Sequence, residues 1–108
     1  MDLNQLKTNG IDFGASIYDD EEKYIADLKA FIQSYEFIQL GQSIHRKQWQ
    51  AAGMKIQKMS AKAKNLGMIG WEQLFVGIRQ NIARKNDAEA LQIMSVMITK
   101  RVKLMNIL

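Results

Sequence analysis

The chain has 108 residues, nearly half apolar and about a quarter charged, which suits one soluble domain with one core and is too short for two. It has no cysteine, which excludes disulfides, thiolate metal sites and cysteine nucleophiles, and no proline, which favours helices joined by short turns over a turn-rich sheet protein. The net charge is +4, with an acidic front at Asp19, Asp20, Glu21 and Glu22 and a basic second half, a balance that suits an acidic partner.

Asp2 to Thr8 reads as a short helix with Leu3 and Leu6 on its apolar side. Asn9-Gly10 stops it, because both residues tolerate positive φ. Ile11 to Ile17 is apolar and irregular, and is expected to cap one end of the domain. The carboxylates Asp19 to Glu22 mark the start of a second helix, where they complement free N–H groups and the dipole. That helix is expected to run to about Ser34, burying Tyr24, Ile25, Leu28, Phe31, Ile32 and Tyr35. After a break at Ser34-Tyr35-Glu36, a third runs to about Arg46, with Phe37, Leu40, Gly41 and Ile44 inward.

The stretch from Trp49 to Gly67 is the centre of the chain. Trp49, Ala52, Ile56, Met59, Ala63 and Leu66 recur at steps of three and four, one stripe on one side of a helix. Gln57, Ser60, Ala61 and Lys64 fall on the side away from it. Gly53 lies one turn before Gln57 and costs about 1 kcal/mol against alanine in a helix interior. Gly67 is expected to close the helix in the left-handed conformation. A further helix from about Gly70 to Arg84 points Trp71, Leu74, Phe75, Ile78 and Ile82 inward. The last, from Ala88 to about Met105 with Asp87 as its cap, carries the stripe Leu91, Met94, Ile98, Val102 and Met105, broadened by Ile93, Val96, Met97 and Leu104. The sum predicts an all-α fold, an antiparallel four-helix bundle with a short N-terminal helical extension, over residues 1–108.

This order of helices resembles the histidine-containing phosphotransfer (HPt) domains of two-component phosphorelays over nearly the whole chain. Their central motif is His-x-x-Lys-Gly-x-x-x-x-x-Gly. Asn65-Leu66-Gly67 matches its end, Asn86-Asp87 a later step, Asn9-Gly10-Ile11-Asp12 the family's opening, and Lys47-Gln48-Trp49 sits where the family often has Gly-Asp-Trp. The chemistry departs from the family. Counting back from Gly67, Gln57 stands at the phosphoaccepting histidine, Ser60 at the lysine and Ala61 at the glycine. An amide nitrogen has its lone pair delocalised into the carbonyl and cannot act as the imidazole does. The resemblance therefore implies the fold and a docking face for a receiver domain or histidine kinase, formed by Gly53, Gln57, Lys58, Ser60, Ala61, Lys62 and Lys64, without phosphate transfer.

His45 is the only histidine. Its place near a helix end, beside Arg46 and Lys47, favours a helix-capping role; the alternative is an active phosphotransfer protein using His45. A second alternative is a basic helical nucleic-acid-binding domain. No phosphate loop, nucleophile elbow or metal-ligand spacing occurs, so the expectation is no enzyme, no cofactor and no metal. No apolar run approaches the roughly 18 residues of a membrane span, and the first residues lack a secretion signal, so a cytoplasmic monomer is expected.

Overall fold

A computed structural model describes residues 2–108, and every regular element in it is helical. The helices are α1 (Leu3–Thr8), α2 (Glu21–Ile32), α3 (Glu36–His45), α4 (Trp49–Asn65), α5 (Glu72–Ala83) and α6 (Asp87–Ile107), with 3-10 turns at Phe13–Ala15 and Ile69–Trp71. α3 packs on α4, α4 on α5, α5 on α6, and α6 returns to α3, while α2 lies against α6. The radius of gyration is 13.7 Å. That is close to the value of about 13 Å for a compact chain of this length, so the N-terminal segment is folded back onto the helices.

The packing follows from the apolar spacing. α4 buries Ala52, Ile56, Met59 and Ala63, and α3 buries Phe37, Leu40 and Ile44. Trp71, Phe75, Ile78 and Ile82 fill the space between them and α6. The acidic start of α2 behaves as its sequence predicts: the Asp20 carboxylate accepts from the Glu22 N–H at 3.0 Å. Asn86, and not Asp87, caps α6, its side-chain oxygen accepting from the Glu89 N–H at 3.2 Å, and Asp87 is the first helical residue.

Two expected stripes are corrected. Tyr35 is 58% exposed. α2 stops at Ile32, and Tyr35 lies in the bend before α3. On α6 the buried residues are Ala90, Met94, Met97 and Leu104, whereas Val102 and Met105 are 49% and 37% exposed. Between the buried Met97 and Leu104 the inward position is taken by the half-buried Arg101. Its Nε donates to the Ile32 carbonyl at 2.7 Å and its guanidinium lies 5.4 Å from the Phe37 ring centre. It thus satisfies a carbonyl at the end of α2 that has no partner within the helix.

The N-terminal segment closes the far end. The Asp12 N–H donates to the Gly67 carbonyl at 2.8 Å, the Ile17 N–H to Asn65 at 3.0 Å and the Gly70 N–H to Gly10 at 2.8 Å. The Trp71 indole donates to the Asn9 carbonyl at 3.1 Å.

Tyr24 ties α2 to the same end. Its ring is fully buried, edge-on to Phe13 and Tyr18, and its hydroxyl donates to the Leu66 carbonyl at 2.8 Å. Burial, reinforced by the charge of Asp12, pushes its pKa from 10.0 up to about 12. The folded chain therefore holds this proton more tightly than the unfolded chain does. The contribution to stability is complete below pH 10 and is lost as pH rises from about 10 to about 12. Tyr24→Phe should lower stability at pH 7 by about 1 kcal/mol, since it leaves a buried carbonyl unpaired. It should also flatten the alkaline part of the profile, which thermal melts between pH 8 and 11 would record.

Candidate functional site on the outer face of α4

α4 turns Met54, Gln57, Lys58, Ala61, Lys64 and Asn65 to solvent, opposite its buried stripe. Helical rotation of 100° per residue is enough to put them on one face. The Gln57 amide is exposed at the middle of the helix and makes no hydrogen bond within the described residues. It is free to donate and to accept at once.

The seven sequence-predicted site residues divide into two groups and an outlier. Gln57, Ser60, Ala61 and Lys64 line a groove of about 410 Å³ between α4 and α5. Across it stand Glu72, Phe75 and Arg79 of α5, and Ala15, Met68 and Ile69 close one end. Its floor is apolar, through Ala63, Met68 and Phe75, and its rim is charged.

Lys58 and Lys62 belong to the other flank, which faces α3. The Lys62 ammonium pairs with the Glu36 carboxylate at 2.7 Å. Nearby, Lys55 donates to the Gln39 side chain at 2.9 Å. The Lys62 hydrogen bond holds the Glu36 carboxyl below the usual carboxylate range against the opposing effect of burial, and the charges of Lys62, Lys55 and Lys58 add to the lowering. Lys62 is thus already engaged, while Lys58 and Lys64 keep their donors for a partner. Gly53 is the outlier. It is half-buried, and a Cβ there would lie 3.9 Å from Ile82 of α5, so this position faces the α4–α5 contact more than it faces solvent.

Sequence reasoning missed Met54, which is 63% exposed one turn before Gln57, and Ile69, 58% exposed at the end of the groove. Met54 could have been found as an apolar residue off the buried stripe. The α5 side of the groove could not, because Glu72 and Arg79 read simply as a polar helix surface.

The face has no group set up for covalent chemistry. The Ser60 hydroxyl has no basic side chain bonded to it, and His45 is the last residue of α3, exposed at the helix end beside Arg46 and Lys47. Among the described residues no three His, Cys, Asp or Glu side chains gather into a metal-binding group, and no helix is long and apolar enough to cross a membrane. The face brings together an amide, two free ammonium groups and small side chains beside an apolar groove. Comparison with protein-family models, with curated proteins and with solved structures gives no match.

Proposed function

We propose that this chain is an HPt-like domain of a two-component phosphorelay that has lost its phosphoacceptor. It binds a receiver domain or histidine kinase through the outer face of α4 without taking up phosphate. The ring of α3, α4, α5 and α6 is read as the family's antiparallel four-helix bundle. The observation that carries the proposal is Gln57. An exposed, unbonded amide stands mid-helix on a face of small and cationic side chains, ten positions before the left-handed Gly67.

In the family the chain resembles, this face meets a receiver domain, whose phosphorylation pocket is a cluster of aspartates. Lys58 and Lys64 would speed encounter with such a pocket and fix its register. The small Ala61 lets the partner approach, and Gln57 hydrogen-bonds within the pocket. The alternative, active transfer through His45, would place the phosphoacceptor at a helix end beside Arg46 and Lys47 and away from the middle of a helix face.

The test mixes the purified chain with receiver domains and histidine kinases of the same genome, phosphorylated and not. At least one should bind, with affinity that falls as salt rises, and no phosphoryl group should pass to the chain. Lys58→Glu should weaken binding about tenfold by setting like charges opposite each other. Transfer of phosphate to His45 would overturn the proposal, as would the absence of any binding partner in that set.

A further inference from the structure

Two turns at one end of the fold carry the same residue pair. α3 ends in Ile44-His45-Arg46-Lys47 and α5 in Ile82-Ala83-Arg84-Lys85. In both, the lysine is the left-handed residue just past the helix, with φ of 57° at Lys47 and 56° at Lys85. The backbone bonds match as well. The Lys47 N–H donates to Ile44 at 3.0 Å and the Gln48 N–H to Ser43 at 2.9 Å. Likewise the Lys85 N–H donates to Ile82 at 3.0 Å and the Asn86 N–H to Asn81 at 2.9 Å. This helix stop ordinarily takes glycine at its left-handed residue, because a Cβ is strained there. At the opposite end of the molecule the left-handed positions are indeed Gly10 and Gly67.

The helix packing brings the two turns together. Gly53 near the start of α4 faces Ile82 near the end of α5, and Gly41 late in α3 faces Met94 early in α6. Packed helices lie about 8–10 Å apart, and α3 and α5 both pack on α4, so the two Arg-Lys pairs share one end of the fold and stand more than one but less than two helix spacings apart. Arg46, Lys47, Arg84 and Lys85 are all exposed. None is in an ion pair; the one among the described residues joins Lys62 to Glu36. The carboxylates of this end, Asp87 and Glu89, lie in the first turn of α6 and complement that helix's own dipole. A cation in the last turn of a helix is explained by its dipole. Lysine in place of glycine at the strained residue, twice, is not.

We propose that this end of the fold is a docking surface for the phosphate backbone of a nucleic-acid duplex, gripped by Arg46, Lys47, Arg84 and Lys85. A membrane fits less well, because no large apolar side chain is exposed at the turns to enter the interface; the nearest, Met54, is in the second turn of α4. A single strand fits less well because the one aromatic ring at these turns, Trp49, is packed in part against the core and is not presented for base stacking. The surface lies about 13 Å along α4 from Gln57, and the inference does not rest on the phosphorelay reading.

Four phosphate contacts give a slope of log affinity against log salt of about −3.6. The test measures anisotropy of a labelled 20-base-pair duplex titrated with the chain between about 30 and 150 mM salt. The wild type should show that slope. K47G/K85G should lower affinity at least tenfold at 50 mM salt and reduce the slope by about 2, since two contacts are gone. The same variant should melt about 4 °C or more higher, because both turns are relieved of strain. K7Q/K23Q, at the other end, removes the same charge and should leave binding within about twofold. The proposal is overturned if the wild type does not bind the duplex at 30 mM salt. Equal losses in the two double variants, or tighter binding to vesicles of 30% phosphatidylserine than to the duplex, would overturn it too.

Discussion

Gly67→Ala is expected to cost about 3–5 kcal/mol, a large share of the roughly 5–15 kcal/mol that holds a domain together. Two effects combine. Gly67 has φ of 68°, where an L side chain costs about 1–2 kcal/mol. A Cβ there would also collide with the Asp12 carbonyl oxygen, a backbone atom that no rotamer change can move away. The N-terminal segment would have to lift, losing the bonds from Asp12 to Gly67 and from Ile17 to Asn65. The melting temperature should fall by about 15 °C or more. Gly53→Ala is the contrasting control. Its Cβ would meet only Ile82 at 3.9 Å, an ordinary contact, so helix propensity should win and stabilise the fold by about 0.5–1 kcal/mol. If Gly67→Ala melted within a few degrees of wild type, the docking of the N-terminal segment on α4 would be wrongly placed.

The same close approach recurs at Gly10 and Gly70. A Cβ on Gly70 would lie 2.6 Å from the Gly10 Cα, and one on Gly10 would lie 2.8 Å from the Gly70 Cα. Gly10 was legible from the sequence as a helix stop, and Gly67 as a left-handed cap. Their shared task of letting two backbone segments touch was not, because the partner of each is about sixty residues away. Most of α4 was legible, since its apolar stripe has one solution; Gly53 was not, because its approach to Ile82 depends on where α5 packs. α6 was not. Apolar residues cover three of its sides, and one position of the seam is held by Arg101, whose bond to Ile32 depends on where α2 ends. For the candidate site, the helix face was legible and the groove was not, because half of its lining comes from α5 and the turn before it. The basic ends of α3 and α5 looked like scattered charge in the sequence; only the helix order brings them to one end of the fold.

Ala61→Trp should reduce binding to a receiver or kinase partner at least a hundredfold while leaving the fold intact. Ala61 is exposed at the centre of the α4 face, between Lys58 and Lys64 one turn away on either side. An indole there stands where the partner's surface must approach, and its bulk cannot be absorbed by repacking because the α4 backbone lies directly beneath. The cost to the helix is only about 0.5 kcal/mol of propensity, so melting should hardly change. Ala51→Trp is the matched control. It is exposed on the same helix, about 15 Å toward its start, and should leave partner affinity within a few-fold. Wild-type affinity in both variants would place the interface elsewhere on the molecule. Equal losses would mean that the partner covers the length of α4, and the groove beside Gln57 would then be only part of what it recognises. Ala61 lies about 18 Å along α4 from the Arg-Lys turn at its start, so duplex binding should survive Ala61→Trp unchanged. The two surfaces can therefore be tested, and can fail, independently of each other.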